Sequence, residues 1–373
     1  MADFHRLSSN QLRINEALPW DVYDVAGQLL LRKGYVIQKD EQIERLLDRG
    51  MFVDAEVFKA YVAAESAPAR QAYDPLSVWQ GVQVGVGALM SNLPKDGSFA
   101  STLQGYAKLV MDLCERSPDL AIAAILLKEY KRYPIAHGLH VAVLCELVAR
   151  RGDFDEATRM SLCCAALTQN ISILELQQLL SHQKTELSAE QRALINSHPE
   201  DGSRLLMALG VSDEEWLRAV LEHHENEEGS GYPRQIKSAS VLANLIHTCD
   251  VYTAMLSQRA YRKSMLAAEA AKRVYLDMGQ GKENPFPGLL IKEVGMYPPG
   301  TLVKLANGEV GVVCKRGAQA NTPVVATLIN AKGLQQMDPV RRDTAAAPPF
   351  AIVTVLPQSM LQVNFEQIWR PRN

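Results

Sequence analysis

The sequence predicts a mainly α-helical protein, in which a helical domain follows a small α/β unit and precedes a small β-rich extension. Three observations predict this order. Apolar residues recur at helical spacing through residues 76–290. Short alternating runs around glycine turns occupy residues 1–61 and 291–373. Residues 62–75 have the composition of a linker, with several alanines and two prolines.

The α/β unit is expected from two β-like runs and one short helix. The runs lie in LPWDVYDVAGQLLLRKGYVI, around the turns Ala26-Gly27 and Lys33-Gly34. The segment DEQIERLLDRG follows, with apolar residues on one helical face and a glycine at its end. These residues are Ile43, Leu46, Leu47 and Gly50.

The middle of the chain is expected to be one all-α domain. ATRMSLCCAAL places apolar residues at i, i+3, i+4 and i+7, and SVLANLIHTCDVYTAML repeats the pattern. Ser212, with Glu215 three residues later, predicts a capping box at the start of another helix. His198 is followed by Pro199, a residue suited to the first turn of a helix.

The extension is expected to be built from strands. TLVKLANGEVGVVCK forms two alternating runs around Asn307-Gly308, a strong hairpin signal. VVATLI and FAIVTVL predict further strands. Between them, DPVRRDTAAAPP is expected to be a loop in which Arg341 and Arg342 are solvated.

Composition limits the classes of function. The net charge of −3 does not favour a nucleic-acid partner. No apolar run approaches the roughly 18 residues of a spanning helix, and MADFHRLSSN has no basic-then-apolar signal pattern. We therefore expect a cytoplasmic protein without membrane contact. The six cysteines include no CxxC pair, so they are expected to be small buried hydrophobes.

The histidines are unevenly distributed. Seven of the eight lie between residues 137 and 247, within the predicted helical domain. Asp250 lies in an otherwise apolar helix, where a carboxylate must be paired or metal-bound. Imidazoles and a carboxylate from several helices can assemble a transition-metal site. A lone helical histidine is more often a hydrogen-bonded core residue, and His140, His182 and His247 are assigned to that class.

Several motifs together resemble the HD-GYP family, a subset of the HD phosphohydrolases. Residues 223–233, HHENEEGSGYP, match its signature of HHE, a short spacer and GSGYP. Four other segments resemble elements of the family. Residues 137–142 resemble its first histidine helix and residues 197–202 its HPxxG motif. Residues 247–254 resemble the helix of its last metal aspartate, and residues 258–263 its RxYR element. The resemblance covers about residues 130–290, so the helical domain is expected to be of HD type.

The resemblance implies a site and a ligand. Family members hydrolyse cyclic di-GMP with two or three bridged metals, usually iron or manganese. The implied metal ligands are His137, His198, His223, His224 and Asp250. Arg259 and Arg262 would hold the phosphates of the dinucleotide, and the loop of Gly231, Tyr232 and Pro233 would lie beside the site. In the family this loop is also linked to GGDEF-domain partners, and homo-oligomer formation is left open.

The sequence departs from the family at the residues that name it. Where the family reads LLHDIGK, this chain has Gln169 for histidine, Asn170 for aspartate and Ile173 for lysine. The bridging carboxylate between two metals is therefore lost. One or two divalent metals, iron or manganese, are expected at most, and none of the three replacements is assigned a catalytic role.

Three hypotheses follow from this departure. The first is a signalling module with impaired catalysis that binds cyclic di-GMP or a partner protein. The second is a cyclic di-GMP phosphodiesterase with a variant metal centre. The third is a plain interaction protein whose histidines are relics. Metal content and nucleotide binding would distinguish them.

Overall fold

The computed structural model describes residues 4–7, 17–39, 42–43, 46, 51–59, 73–127, 132–226, 228–257, 264–279 and 284–369. The chain divides into two compact units, Met1–Tyr73 and Asp74–Asn373. The division falls inside the predicted linker, and most of residues 62–75 lie outside the described ranges. The boundaries assigned to the linker and to the extension remain predictions.

Among its described residues, the first unit contains a four-stranded sheet in the order β1-β4-β2-β3. Its strands are β1 Phe4–Arg6, β2 Val22–Tyr23, β3 Leu29–Leu31 and β4 Phe52–Asp54. The two predicted β-like runs are thereby confirmed as β2 and β3. Trp20, Ile37 and Met51 are buried in the core beside the sheet. In the predicted helix, Gln42, Ile43 and Leu46 are helical, whereas Leu47 and Gly50 lie outside the described residues.

The second unit is mainly α-helical, as predicted, and a β-sheet follows all of its helices except the last. The helices are α1 Pro75–Ser91, α2 Phe99–Arg116, α3 Pro118–Leu127, α4 Tyr133–Arg151, α5 Glu156–Thr168, α6 Leu174–His182, α7 Ala189–Ala208, α8 Glu214–Glu222, α9 Val241–Leu256, α10 Ala267–Met278, α11 Phe286–Val294 and α12 Phe365–Trp369. A 3₁₀ turn, Ile171–Ile173, separates α5 from α6. None of the described helices is long and apolar enough to span a membrane.

Helix α4 lies at the centre of the helical core. Every residue from Pro134 to Ala149 is buried, so the helix is enclosed on all sides rather than amphipathic. At Gly138 an added Cβ would lie 3.3 Å from the carbonyl oxygen of Leu167 on α5. This close approach brings His137, which precedes Gly138, towards the residues that follow α5.

Two helix starts differ from the sequence prediction. Pro199 lies inside α7 instead of in its first turn. Asp213, not Ser212, caps α8, because its carboxylate accepts the Trp216 N–H at 3.0 Å. The same carboxylate accepts the hydroxyl of Ser161 at 2.6 Å, so this cap also joins α8 to α5.

The sheet of the second unit has five strands in the order β8-β7-β6-β5-β9. They are β5 Leu302–Leu305, β6 Val310–Lys315, β7 Val324–Ile329, β8 Gln335–Asp343 and β9 Ile352–Leu356. The hairpin at Asn307-Gly308 is confirmed, with Gly308 at φ 89°. Arg316 joins this sheet to the helices, since its guanidinium pairs with Asp119 at 2.7 Å and with Glu293.

The loop predicted around Arg341 and Arg342 is wrong. Its first half is β8, which pairs with β7 and forms the edge of the sheet. Arg342 donates from two nitrogens to Glu309, at 2.8 and 2.9 Å, and that carboxylate is buried. The strand has few apolar residues because it lies at the edge of the sheet, and this is why its composition resembled a loop.

Candidate functional site

Three histidines from two helix regions lie together. His198 belongs to α7, and His223 and His224 follow directly after α8. The Nε2 atoms of His198 and His223 are 3.2 Å apart, and one potential ligand atom of each of the three residues lies within 4.8 Å of the others. We call these three residues the histidine triad.

Backbone carbonyls fix how two of these rings are oriented. Pro199 has no N–H, so the carbonyl of Ile195 lacks its ordinary helical donor, and His198 Nδ1 donates to it at 2.6 Å. Helix α8 ends before residue 224, and His223 Nδ1 donates to the carbonyl of Val220 at 2.7 Å. Because a carbonyl oxygen only accepts, both neutral rings carry their proton on Nδ1. Their Nε2 lone pairs then face each other, which is the arrangement that a bound cation requires.

Burial keeps the triad uncharged. It lowers the pKa of His223 to about 3, and it also lowers the pKa values of His198 and His224. Neutral imidazole is the form that binds metals. At physiological pH the triad therefore offers three neutral imidazole rings as potential metal ligands.

Asp250 lies in a second group, with His137 and Gln169. His137 Nε2 lies 2.6 Å from Asp250 Oδ1, and Gln169 Nε2 donates to the same oxygen at 3.2 Å. Burial alone would raise the pKa of Asp250, but the hydrogen bond from His137 and the nearby histidines lower it below its usual range. An ionised carboxylate is thus held by two nitrogen donors.

The residues that replace the family's His-Asp pair are buried next to this group. Gln169 is fully buried, and its Oε1 has no hydrogen-bond partner among the described residues. Asn170 is also buried. Their position is fixed from both sides: Trp216 Nε1 donates to Thr168 Oγ1 at 2.8 Å, and Ser172 Oγ donates to the carbonyl of His198 at 2.9 Å.

The loop after the triad is held by one buried carboxylate. Glu225 accepts three backbone N–H groups, from Arg234 at 2.6 Å and from Gln235 and Ile236 at 3.1 Å. Nothing in the sequence pattern indicated this role. The nearest sequence signal was only the third letter of the HHE motif.

The glycine and tyrosine of this loop contact the triad directly. Tyr232 N donates to the carbonyl of His224, and its ring lies 4.6 Å from that of His224. An added Cβ at Gly231 would lie 2.4 Å from the same carbonyl, so the close approach requires glycine. The peptide bond Tyr232-Pro233 is cis.

The structure brings together most of the predicted site residues, in two groups rather than one. Arg259 and Arg262 lie outside the described residues. His140 is buried, as assigned, and burial lowers its pKa to about 3. The assignment of His182 to the core is wrong, because it is exposed at the end of α6. His247 packs edge-on to His224, with 5.9 Å between ring centroids, so it borders the site.

The cysteine prediction is confirmed: all six are buried and unbridged. Cys145 and Cys249 lie on α4 and α9, the helices that carry His137 and Asp250. Burial raises the pKa of Cys145, so its thiol stays protonated. Both thiols pack in the helical core.

Comparison with known proteins gives a consistent picture. Residues 120–281 match a family model described as an HD domain. A cyclic di-GMP phosphodiesterase of Pseudomonas aeruginosa is 30% identical over 220 residues, which are 58% of this chain and 53% of that protein. One of Borreliella burgdorferi is 24% identical over 183 residues, 48% of each protein. The chain therefore spans about half the length of these two relatives.

Two further similarities concern specificity and fold. A 3'3'-cGAMP-specific phosphodiesterase of Vibrio cholerae is 28% identical over 135 residues, 36% of this chain and 29% of that protein. A solved HDG"Y"P protein from Bdellovibrio bacteriovorus superposes with a TM-score of 0.51 and 18% identity, covering 78% of this chain and 99% of that one. This last likeness concerns the fold alone.

Proposed function

We propose that this chain is a bacterial cyclic di-GMP signalling protein with a degenerate HD-GYP domain. The proposal is supported by its match to the HD domain model and by its similarity to cyclic di-GMP phosphodiesterases. The protein acts in the cytoplasm, binds the dinucleotide or a partner protein, and is impaired in hydrolysis. The observation that carries this proposal is the hydrogen bond from Gln169 to Asp250. Gln169 has an amide donor at the position where the resemblance expects a metal-binding imidazole.

Binding is supported by the intact frame around the triad. Glu225 and Gly231 hold the loop against His224, and the triad offers neutral nitrogen donors. A divalent cation bound there would supply positive charge for a phosphate oxygen. Arg259 and Arg262 would add guanidinium forks to the other phosphate oxygens. The loop of Gly231, Tyr232 and Pro233 would also present the surface for a GGDEF-domain partner.

Impaired hydrolysis is supported by three replacements. A two-metal hydrolase clamps the attacking and leaving oxygens between cations about 3.5–4 Å apart. Asn170 is neutral and cannot bridge two cations as a carboxylate does. The amide nitrogen of Gln169 already donates to Asp250, and Ile173 carries no positive charge that could stabilise the scissile phosphate. Each loss of about 1.4 kcal/mol of transition-state stabilisation slows the reaction tenfold.

A second candidate is a phosphodiesterase with a variant metal centre. The convergence of the triad nitrogens favours it, because a single cation there could still polarise one phosphate oxygen. The metal in that case is a divalent ion such as iron or manganese. The two candidates differ in turnover, not in binding.

The test is a calorimetric titration with cyclic di-GMP, with turnover measured on the same sample. We expect binding in the micromolar range, and hydrolysis at least about 100-fold slower than in the triple variant Gln169→His, Asn170→Asp, Ile173→Lys. The triple variant Gln80→His, Asn92→Asp, Val353→Lys is the matched control at exposed positions. Absence of binding would leave only the partner-binding form, and fast turnover in the unmodified protein would support the variant enzyme.

A further inference from the structure

The predicted metal ligands do not form one continuous set. The Nε2 atoms of His198 and His223 face each other, and a ligand atom of His224 lies within 4.8 Å of a ligand atom of each, whereas His137 and Gln169 both bond to Asp250. We infer that this chain binds a single borderline divalent cation at the histidine triad, and that Gln169 keeps Asp250 and His137 out of metal coordination. The inference rests on the proposed HD-type site but does not depend on cyclic di-GMP.

In the His137–Asp250–Gln169 group, Asp250 Oδ1 is hydrogen-bonded without a cation, whereas Gln169 Oε1 has no hydrogen-bond partner among the described residues. Asp250 Oδ1 accepts from two donors, His137 Nε2 at 2.6 Å and Gln169 Nε2 at 3.2 Å. Since an ionised carboxylate cannot donate, His137 carries its proton on Nε2. Its other ring nitrogen, Nδ1, faces the hydroxyl of Tyr133 at 3.4 Å. His137 Nε2, which donates to Asp250, is therefore not free for a metal in this arrangement.

Gln169 is the residue that makes this arrangement stable. Its side chain is fully buried, so the amide N–H needs an acceptor, and Asp250 supplies it. An imidazole at the same position could present a nitrogen lone pair to a cation, whereas the Gln169 amide nitrogen donates to Asp250 and the neutral amide oxygen is a weak ligand for a borderline metal. Helix α4 packs closely on α5 at Gly138, and Gln169 and His137 donate to the same oxygen of Asp250. The replacement therefore converts half of a metal site into a hydrogen-bonded group.

The triad has the opposite chemistry. Backbone carbonyls take the Nδ1 protons of His198 and His223, which aims both Nε2 atoms into the site. Within the described part of the chain, no carboxylate joins this ligand set. Three imidazoles without an oxygen ligand suit zinc, iron(II) or nickel better than manganese, which prefers carboxylates. Three protein ligands leave a further coordination position open for a phosphate oxygen or water.

The experiment is metal binding by the full chain without nucleotide. The protein is stripped with a chelator, titrated with Zn²⁺ or Mn²⁺, and its metal content is measured by elemental analysis after dialysis. We expect about one equivalent of zinc, and manganese binding weaker by about two orders of magnitude, as the order of divalent affinities predicts. Zinc uptake of two equivalents, or of none, would overturn the inference.

Variants separate the two groups of residues. His223→Gln and His224→Gln should each lose zinc at least about tenfold in affinity, whereas His137→Gln should retain one equivalent. Since His223 is fully buried and His224 is only half-buried, His224→Gln keeps the test valid if the other variant misfolds. His182→Gln, at an exposed position, is the matched control. Equal loss of zinc in His137→Gln and His224→Gln would contradict the assignment.

Restoring the family residues tests the role of Gln169. The double variant Gln169→His, Asn170→Asp should raise the metal content from one to two equivalents, while Gln80→His on the exposed face of α1 should not. A double variant that folds and still binds one equivalent would refute that role. Zinc binding without cyclic di-GMP binding would sustain this inference while removing the dinucleotide part of the proposed function. Dinucleotide binding by a zinc-free protein would do the reverse.

Discussion

Gln169 and Asp250 are 81 residues apart in the chain, yet the amide nitrogen of one donates to a carboxylate oxygen of the other at 3.2 Å. Gln169 follows α5, and Asp250 lies within α9. The bond therefore ties together two helices that both border the candidate site. It also turns a position that the family resemblance assigns to metal binding into a structural one.

Gln169→Glu should reverse the sign of this contact. The change keeps the shape but replaces an amide donor with a carboxyl group beside the ionised Asp250. We expect destabilisation by about 3 kcal/mol in the presence of a chelator, because two buried like charges face each other. Added Zn²⁺ should recover part of the loss, which a thermal unfolding measurement would detect. Gln80→Glu on α1 should be neutral in both conditions, and equal behaviour of the two variants would contradict the predicted contact.

Glu225→Ala should loosen the loop without removing any triad histidine. Three backbone N–H groups lose their carboxylate acceptor, and unsatisfied donors cost about 1–3 kcal/mol each when they remain buried. We expect a total loss of about 3 kcal/mol in denaturant unfolding and faster amide exchange at residues 234–236. Glu186→Ala, at an exposed loop position, is the control. Unchanged exchange in the Glu225 variant would show that the carboxylate does not hold the loop.

Gly231→Ala should be far more harmful than an alanine at an open glycine. The new Cβ would lie 2.4 Å from the His224 carbonyl and 2.6 Å from Glu225 Cα, and both are backbone atoms. We expect destabilisation by about 1–3 kcal/mol and weaker zinc binding, because the loop must move away from His224. Gly105→Ala within α2 meets no atom within 4 Å and should stabilise by about 0.5–1 kcal/mol. Thermal unfolding of both variants measures the contrast, which would vanish if the close approach were absent.

Glu146 should make stability depend on pH near neutrality. Burial raises its pKa from 4.5 to about 7, although Arg159 and Arg150 lie beside it. The folded protein therefore holds a proton that the unfolded chain has lost between these values. The stabilisation is complete below pH 4.5 and decreases as the pH rises through about 7, by up to about 3 kcal/mol.

Glu146→Gln removes this titration and is its control. The difference in unfolding free energy between the unmodified protein and the variant should fall as the pH rises from 5 to 8. Denaturant unfolding at the two pH values measures it. A difference that stays constant, or that grows with pH, would contradict a raised pKa for this carboxyl group.

The sequence was informative where a residue's role depends on its neighbours in the chain. The helical middle, the β2–β3 runs and the Asn307-Gly308 hairpin follow from local periodicity and turn chemistry, and the structure confirms them. Because His223 and His224 are consecutive, the sequence already indicated two members of the triad. The family resemblance assigned His198 to the same site through the HPxxG motif, not through its spacing from the other histidines.

The remaining features depend on partners far away in the chain. Arg342 belongs to a strand because β8 pairs with β7 along the backbone, and its side chain pairs with Glu309. Pro199 is tolerated inside α7 because a histidine side chain satisfies the carbonyl that the proline leaves without a donor. The pairing of Gln169 with Asp250 needs the packing of α4, α5 and α9 together, which no local pattern encodes.

The way Glu225 and His224 hold the loop gives this protein built-in spectroscopic reporters. The amides of Tyr232, Arg234, Gln235 and Ile236 all donate to His224 or Glu225. Their chemical shifts depend on those hydrogen bonds, so any event that displaces the triad is recorded by backbone signals several residues later in the chain. Nuclear magnetic resonance of these four amides would follow metal, nucleotide or partner binding without a label near the site.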